Sequence, residues 1–167
     1  MQEEQGNKEI QISIIVPVYN EEAVIPQLAE RLTALMSSRP GVMEVIFIND
    51  GSTDKTAVQL FSICLNDPRF QCISFSRNFG HQVAISAGLR YARANDAVFI
   101  IDGDLQDPPE LFTSFYEKFK SGYDVVYGIR NERKEPGIKK FFYFSFYSAH
   151  ATIILVTKTH HKNQTFS

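Results

Sequence analysis

The chain has 167 residues, of which 44% are hydrophobic and 22% are charged, and its formal net charge is −2. A chain of this length can bury the core of one domain, and the composition is typical of a soluble globular protein. The small net charge excludes binding to nucleic acid or to anionic lipid through bulk electrostatic attraction. Two cysteines, Cys64 and Cys72, lack metal-binding spacing, so we expect both to be free and structural.

Five apolar runs rich in β-branched or aromatic residues alternate with segments of helical periodicity. The runs predict strands at residues 10–18, 44–48, 71–75, 97–101 and 123–127. The periodic segments predict helices at residues 21–36, 53–65, 81–94 and 109–120. This alternation predicts a three-layer α/β domain with a mainly parallel sheet.

Three parts of the chain differ in composition. Residues 1–9 form a polar N-terminal tail without a secretory signal, so we expect a protein that faces the cytosol. Residues 10–140 form the predicted α/β domain, and residues 141–167 form an aromatic and apolar tail.

A polar cluster follows each predicted strand. The clusters are residues 17–22, 49–54, 76–82, 102–107 and 128–133. In a parallel α/β sheet, ligands bind at the carboxyl ends of the strands. Loops that only cross solvent do not need so many Asp, Asn and Arg residues, so the clusters indicate a ligand site at this edge of the sheet.

The cluster after the fourth strand places Asp102, Asp104 and Asp107 within six residues. Such a concentration of charge at the end of a buried strand is unfavourable unless a cation or hydrogen-bond donors compensate it. Two compact carboxylates, with positions left for water and for phosphates, suit a hard divalent cation. The same residues also suit a turn whose aspartates cap a helix that begins at Pro108.

Glycine-rich phosphate-binding motifs are missing from the sequence. No Gly-x-Gly-x-x-Gly follows the first strand, and no loop ends in Gly-Lys-Ser/Thr. A metal held by Asp104, with Arg130 or Arg133 nearby, could neutralise a diphosphate instead. That arrangement suits a nucleotide-sugar, whose leaving group is a nucleoside diphosphate.

Four segments resemble the motifs of family 2 glycosyltransferases in order and in spacing. They are residues 16–21, 49–54, 77–82 and 102–110, the last of which contains the Asp-x-Asp motif. The resemblance is strongest to the polyprenyl-phosphate branch, which includes dolichol-phosphate mannose synthases and undecaprenyl-phosphate glycosyltransferases. It implies a GT-A, Rossmann-like fold for a nucleotide-sugar-binding domain. It also implies metal-dependent, inverting transfer of a sugar from a UDP- or GDP-linked donor to a polyprenyl phosphate.

The resemblance implies a nucleoside site at the ends of the first two strands. Pro17, Tyr19 and Glu21 would line the nucleoside, with the ring of Tyr19 facing the base. Asp50 would accept a hydrogen bond from the base, and Ile48 on the same strand is included in the nucleotide-sugar site.

The resemblance places the diphosphate at the fourth strand. Asp102 would contact the ribose side of the donor, with Gly103 next to it in the same site. Asp104 and Gln106 would hold Mg²⁺ or Mn²⁺, and Arg130 would bind the diphosphate. Asp104 and Arg130 are therefore the predicted catalytic residues.

Several polar residues in these segments have other interpretations. Asp50 could begin an Asp-Gly hairpin turn, although a helix is predicted next. Ser52 or Thr53 is predicted as a helix N-cap. Gly80 suits a tight turn, and His81 is either a surface residue or a neutral residue that contacts the donor.

The tail at residues 141–167 departs from the family pattern, in which an acceptor-side segment follows. Its apolar stretch is shorter than the ~20 residues that a membrane-spanning helix needs. The tail could lie at a membrane interface, or it could be a truncated end. Two hypotheses follow: a glycosyltransferase at the cytoplasmic face of a membrane, or a truncated, non-catalytic nucleotide-sugar-binding module in the cytoplasm. A sugar nucleotidyltransferase is disfavoured because its glycine-rich loop is missing.

Overall fold

The computed structural model describes residues 9–39, 41–128 and 153–157, and for the last of these segments the backbone only. The strands are β1 (Ile12–Val18), β2 (Met43–Asn49), β3 (Phe70–Ser74), β4 (Ala97–Ile101), β5 (Val125–Tyr127) and β6 (Ile153–Thr157). The helices are α1 (Ile25–Ser37), α2 (Thr56–Asn66), α3 (His81–Tyr91) and α4 (Phe112–Lys120). A 3₁₀ turn, Pro109–Leu111, leads into α4. The five predicted strands and four predicted helices are all present.

The strands form one sheet in the order β3-β2-β1-β4-β6-β5. The first four are parallel to one another, whereas β6 runs antiparallel to both β4 and β5. The predicted α/β fold with a mainly parallel sheet is therefore confirmed. β6 lies within residues 141–167, the predicted tail, and thus beyond the predicted domain boundary at residue 140.

Two apolar clusters lie on the two faces of the sheet. α1, α2 and α4 cover the face that carries Phe47 and Phe99, and α3 covers the face that carries Ile15 and Ile46. Because both faces are covered, β1, β2 and β4 are buried along their whole length. This is the environment that unbroken apolar runs predict for strands of a parallel sheet.

The start of α2 differs from the prediction. The helix begins at Thr56, and Lys55 occupies the N-cap position. The predicted N-cap role of Ser52 or Thr53 is therefore wrong. The hydroxyl of Ser52 instead accepts a hydrogen bond from the N–H of Asn20 over 2.9 Å, because the loop before α2 packs against the loop after β1.

A buried polar network determines where α3 stops. The network lies at the end of the sheet opposite the carboxyl ends of the strands. Glu44, whose side chain is 2% exposed, pairs with the guanidinium of Arg93 over 2.6 Å and also accepts the Arg93 N–H. The hydroxyl of Ser13 donates to Glu44 and accepts the N–H of Ala94. The N–H groups of Arg93 and Ala94 would donate within a longer helix, but here they donate to Glu44 and Ser13. The helix α3 therefore ends at Tyr91.

No helix in the described ranges combines the length and the apolarity that crossing a membrane requires.

Candidate active site

A cleft of about 350 Å³ opens at the carboxyl ends of β1, β2 and β4, next to the start of α3. This is the edge at which α/β sheets bind ligands. Seven of the ten predicted site residues line it: Pro17, Tyr19, Glu21, Asp50, Asp102, Gly103 and Asp104. The other lining residues are Val18, Asn78, Gly80, His81 and Ala84.

Of the remaining three predicted residues, Ile48 and Gln106 are not among the residues that line the cleft. Ile48 is fully buried in the apolar cluster on the α3 face of the sheet. Gln106 is exposed, and its backbone N–H donates to Asp104 Oδ1 over 2.9 Å. Arg130 lies outside the described residues. The roles of all three in donor binding stay predictions that rest on the resemblance.

Hydrogen bonds join the loop after β1 to the loop after β2. The N–H groups of Asn20, Glu21 and Glu22 donate to the side chains of Ser52, Thr56 and Asp54, respectively. In the other direction, the N–H groups of Thr53 and Lys55 donate to the side chains of Asn20 and Glu22. Asn20 has a φ of 55°, a left-handed conformation that Asn tolerates. Many of the polar residues in these loops therefore brace the cleft, and they hold Tyr19 and Glu21 at its wall.

Asp50 ties the loop after β3 to the cleft. The residue is 4% exposed, and its two carboxylate oxygens accept the N–H groups of Phe79 and Gly80 over 2.7 and 2.9 Å. The alternative of an Asp-Gly hairpin is wrong, because α2 and not a strand follows. Asp50 thus has a structural role that the sequence analysis did not predict, and its hydrogen bond to a base stays a prediction.

The turn at residues 102–104 packs directly against β1. A β-carbon on Gly103 would lie 2.4 Å from Val18 Cγ1 and 3.1 Å from the carbonyl oxygen of Pro17, so glycine permits this approach. Leu105 follows with a φ of 57°, which is uncommon for a residue other than glycine. Its side chain packs against the core, and this packing holds the backbone in the strained conformation.

The segment after this turn is tied to α1. Arg31 Nε donates to Glu110 Oε1 over 3.0 Å, and the second guanidinium nitrogen pairs with the other carboxylate oxygen. In the alternative interpretation, the aspartates cap a helix that begins at Pro108. The 3₁₀ turn begins at Pro109, with Pro108 at its N-cap position, and a capping role of the aspartates stays an alternative.

Acidic groups concentrate along one wall of the cleft. Burial, followed by repulsion from Asp104 and Asp54, raises the pKa of Glu21 above its ordinary value. Nε2 of His81 lies 3.5 Å from Oδ1 of Asp102. A cation bound here would relieve the repulsion between the carboxylates of Glu21 and Asp104.

The donor set suits a divalent cation that binds together with a substrate. Within the described residues, no group of three or more His, Cys, Asp or Glu side chains could hold a metal ion. Mg²⁺ is usually held by one or two carboxylates, while water and substrate phosphates complete its coordination. Asp104 lines the cleft and provides such a carboxylate. The residues therefore fit a metal that is shared with a diphosphate, not a structural metal site.

The raised pKa of Glu21 predicts how stability depends on pH. The folded state binds the Glu21 proton more tightly than the unfolded state, whose carboxyl has its ordinary pKa of 4.5. The free energy of unfolding should therefore fall as the pH rises from 4.5 through the higher folded-state value. We expect Glu21→Gln to remove this fall, so that the variant becomes more stable than the wild type as the pH rises, in urea unfolding across the acidic range.

Glu117→Gln is the matched control for this titration, because Glu117 is exposed on α4. Its stability curve should run parallel to that of the wild type. Parallel curves for the wild type and Glu21→Gln would contradict the prediction.

Two polar side chains that line the cleft were not among the predicted site residues. Asn78 and His81 both line it, and both belong to the polar cluster at residues 76–82. From the sequence, His81 is either a surface residue or a residue that contacts the donor. The structure places it in the cleft, half exposed and next to Asp102. The polar cluster was the signal that could have identified both residues.

The sequence matches the family described as Glycosyl transferase family 2 over residues 13–162. An uncharacterized glycosyltransferase of Bacillus subtilis, YkcC, is 52% identical over 128 residues, which cover 77% of this chain and 39% of the relative. The bactoprenol glucosyl transferase of Shigella phage SfV is 41% identical over 128 residues, which cover 77% of this chain and 41% of the relative. The chain thus spans about two-fifths of the length of these curated relatives.

A solved structure has the same fold. A mannosyltransferase from Pyrobaculum calidifontis, PcManGT, determined in complex with GDP-Man and Mn²⁺, superposes with a TM-score of 0.62 at 17% identity. The superposition covers 90% of this chain and 45% of that protein. At this identity the likeness shows the fold alone, and it confirms the predicted GT-A, Rossmann-like architecture. The match to the family over residues 13–162, which is most of the chain, shows that the chain belongs to glycosyl transferase family 2.

Proposed function

We propose that this chain binds a nucleotide-sugar in the cleft and transfers its sugar, with inversion, to a polyprenyl phosphate. The observation that carries the proposal is the convergence of Tyr19, Glu21, Asp50 and the 102–104 turn on one cleft at the carboxyl edge of the sheet. The proposed acceptor is supported by a relative that is named bactoprenol glucosyl transferase.

The nucleoside would bind between the loops after β1 and β2. Tyr19 is 45% exposed in the cleft, so its ring can offer a flat face to a base. Asp50 has a carboxylate held rigidly by two backbone N–H groups, and a carboxylate oxygen can accept more than one hydrogen bond. Uridine and guanosine both offer ring N–H donors to such a group.

The diphosphate would lie near the turn at residues 102–104. Asp104, with Gln106 as the second predicted ligand, would hold Mg²⁺ or Mn²⁺. The ion would supply positive charge that stabilises the departing diphosphate. Arg130, outside the described residues, would donate hydrogen bonds to the same leaving group. Asp102 would orient the donor on its ribose side, and the 3.5 Å approach of His81 would keep that carboxylate in place.

A phosphate acceptor removes the need for a strong general base. Its oxygen is already anionic near neutral pH, whereas a hydroxyl acceptor would have to lose a proton in the reaction. Since a polyprenyl phosphate resides in a membrane, we place the reaction at the cytoplasmic face, with the protein bound peripherally.

The test is transfer of a radiolabelled sugar from UDP- and GDP-linked donors to polyprenyl phosphate in the presence of Mn²⁺. We expect label in the organic extract with the wild-type chain. Asp124→Asn should retain this transfer, because Asp124 is exposed and does not line the cleft. Asp104→Asn should lose it.

Two other outcomes have distinct meanings. Donor binding without transfer to lipid would favour the alternative function, a non-catalytic nucleotide-sugar-binding module. Absence of both binding and transfer would contradict the proposed function.

A further inference from the structure

α2 presents an uncharged, apolar face to the outside of the molecule. Its eleven residues include no Asp, Glu, Lys or Arg. Val58, Phe61 and Leu65 are 71%, 65% and 70% exposed, and their spacing places them on one side of the helix. We call these three residues the α2 stripe. Leu60 points the other way and is fully buried under the helix.

The strand beneath α2 leaves one side of its backbone open. β3 is the first strand in the sheet order, and within the described residues it pairs with β2 alone. Edge strands are usually protected by charged side chains, proline or a bulge. β3 has the sequence Phe-Gln-Cys-Ile-Ser, without charge or proline, and it pairs with β2 in continuous register.

The direction of the unpaired groups follows from the bonds to β2. The carbonyl of Arg69 accepts the N–H of Val45, and the N–H of Phe75 donates to β2. Backbone groups alternate in direction along a strand. The N–H and C=O groups of Cys72 and Ser74 therefore point away from β2, to the open side of the sheet.

The α2 stripe and the β3 edge belong to elements that pack on each other. α2 packs on β3 and β2, and α1 covers its other flank. Cys64 on α2 and Cys72 on β3 both pack against the same apolar cluster. Because Val58, Phe61 and Leu65 are exposed, they do not lie on the flank of α2 that α1 covers, and the opposite flank of α2 lies at the edge of the sheet that β3 forms.

We propose that this surface is a homodimer interface, in which β3 of two copies pairs antiparallel across a twofold axis and the two α2 stripes pack together. A twofold axis perpendicular to the sheet keeps both copies of α2 on the same face, so the same apolar residues meet across the axis. Since neither α2 nor β3 carries a charge, bringing two copies together places no like charges from these elements against each other.

A second copy fits this surface better than a lipid or a distant part of the chain. Lipid tails cannot bond to the open backbone groups of a strand, and the α2 stripe contains no basic residue to attract an anionic headgroup. The long segments outside the described residues join the sheet at β5, at β6 and before β1, not at β3 or α2. The cleft opens at the carboxyl ends of the strands, so this inference is independent of the proposed function.

Sedimentation velocity of the full chain tests the interface. The wild type should sediment at twice the chain mass, and Phe61→Asp should sediment as a monomer, with dimerisation weakened roughly hundredfold by like charges facing each other. Tyr91→Asp is the matched control, because Tyr91 is 60% exposed on α3, on the other face of the sheet. It should remain dimeric.

Amide hydrogen exchange provides the second measurement. The N–H groups of Cys72 and Ser74 should be protected in the wild type and lose that protection in Phe61→Asp. A monomeric wild type would overturn the proposal, and if these amides were nevertheless protected, another segment of the chain would cover the edge. A dimer that survives Phe61→Asp with both amides unprotected would also overturn it, because the copies would then associate elsewhere.

Discussion

Replacing Asp104 with asparagine should weaken Mn²⁺-dependent binding of a nucleotide-sugar by more than about a hundredfold, since loss of a residue that only supports a metal ligand already reduces affinity about 10- to 100-fold. Asparagine is isosteric, and its carbonyl oxygen can still accept the N–H of Gln106, which now donates to Asp104 over 2.9 Å. The turn should therefore keep its shape while it loses the charge that a hard cation prefers.

Isothermal titration calorimetry with UDP- and GDP-sugars, with and without Mn²⁺, measures this effect. Asp124→Asn makes the same chemical change on an exposed residue outside the cleft and should bind as the wild type does. Unchanged affinity of Asp104→Asn in the presence of Mn²⁺ would rule out Asp104 as a metal ligand. Thermal denaturation of each variant checks that the fold is retained.

Replacing Gly51 with alanine should cause the largest loss of stability. Gly51 has a φ of +70°, and a β-carbon there would lie 2.2 Å from the carbonyl carbon of Arg77 and 2.6 Å from the backbone nitrogen of Asn78. Backbone atoms cannot rotate away as a side chain can. Left-handed strain and overpacking together should lower the free energy of unfolding by about 2–5 kcal/mol.

The change at Gly51 should also disturb the cleft. If the loop after β3 is pushed away, Asp50 loses its bonds to the N–H groups of Phe79 and Gly80, and donor affinity should fall. Urea unfolding measures the stability. Gly122→Ala is the control, because Gly122 has a φ of +103° but no atom within 4 Å of an added β-carbon. Equal destabilisation of the two variants would show that the contact with Arg77 is not responsible.

The strands and helices could be predicted from the sequence because their signals are local. The run at residues 97–101 is apolar without interruption, and β4 is buried along its whole length with the same bounds. Helix periodicity located α1 to α4 in the same way. The ends were less predictable: α3 ends at Tyr91 because Glu44 and Ser13, far away in the sequence, bind the backbone beyond it.

The antiparallel strand β6 shows a second reason why the whole fold could not be predicted from the sequence. Residues 153–157 pair with all of β4 and lie between β4 and β5. The apolar stretch was recognised in the sequence, but its β-branched residues were read together with the preceding aromatic residues as one tail. Whether a short apolar run is a strand depends on a partner strand, and that partner is more than fifty residues away in the sequence.

The order of the elements and the edge at which polar residues collect could be predicted from the sequence alone, because hydrophobic periodicity is a local signal. The parallel core of the sheet could be predicted because a helix between two neighbouring strands makes the crossover that a parallel pair needs. Which of those polar residues face the cleft depends on long-range contacts. Asn20 and Ser52 brace two loops, and Asp50 both lines the cleft and binds the backbone of the loop after β3. Their partners lie about 30 positions away in the sequence, and a backbone N–H in a loop takes whichever acceptor the fold brings within reach.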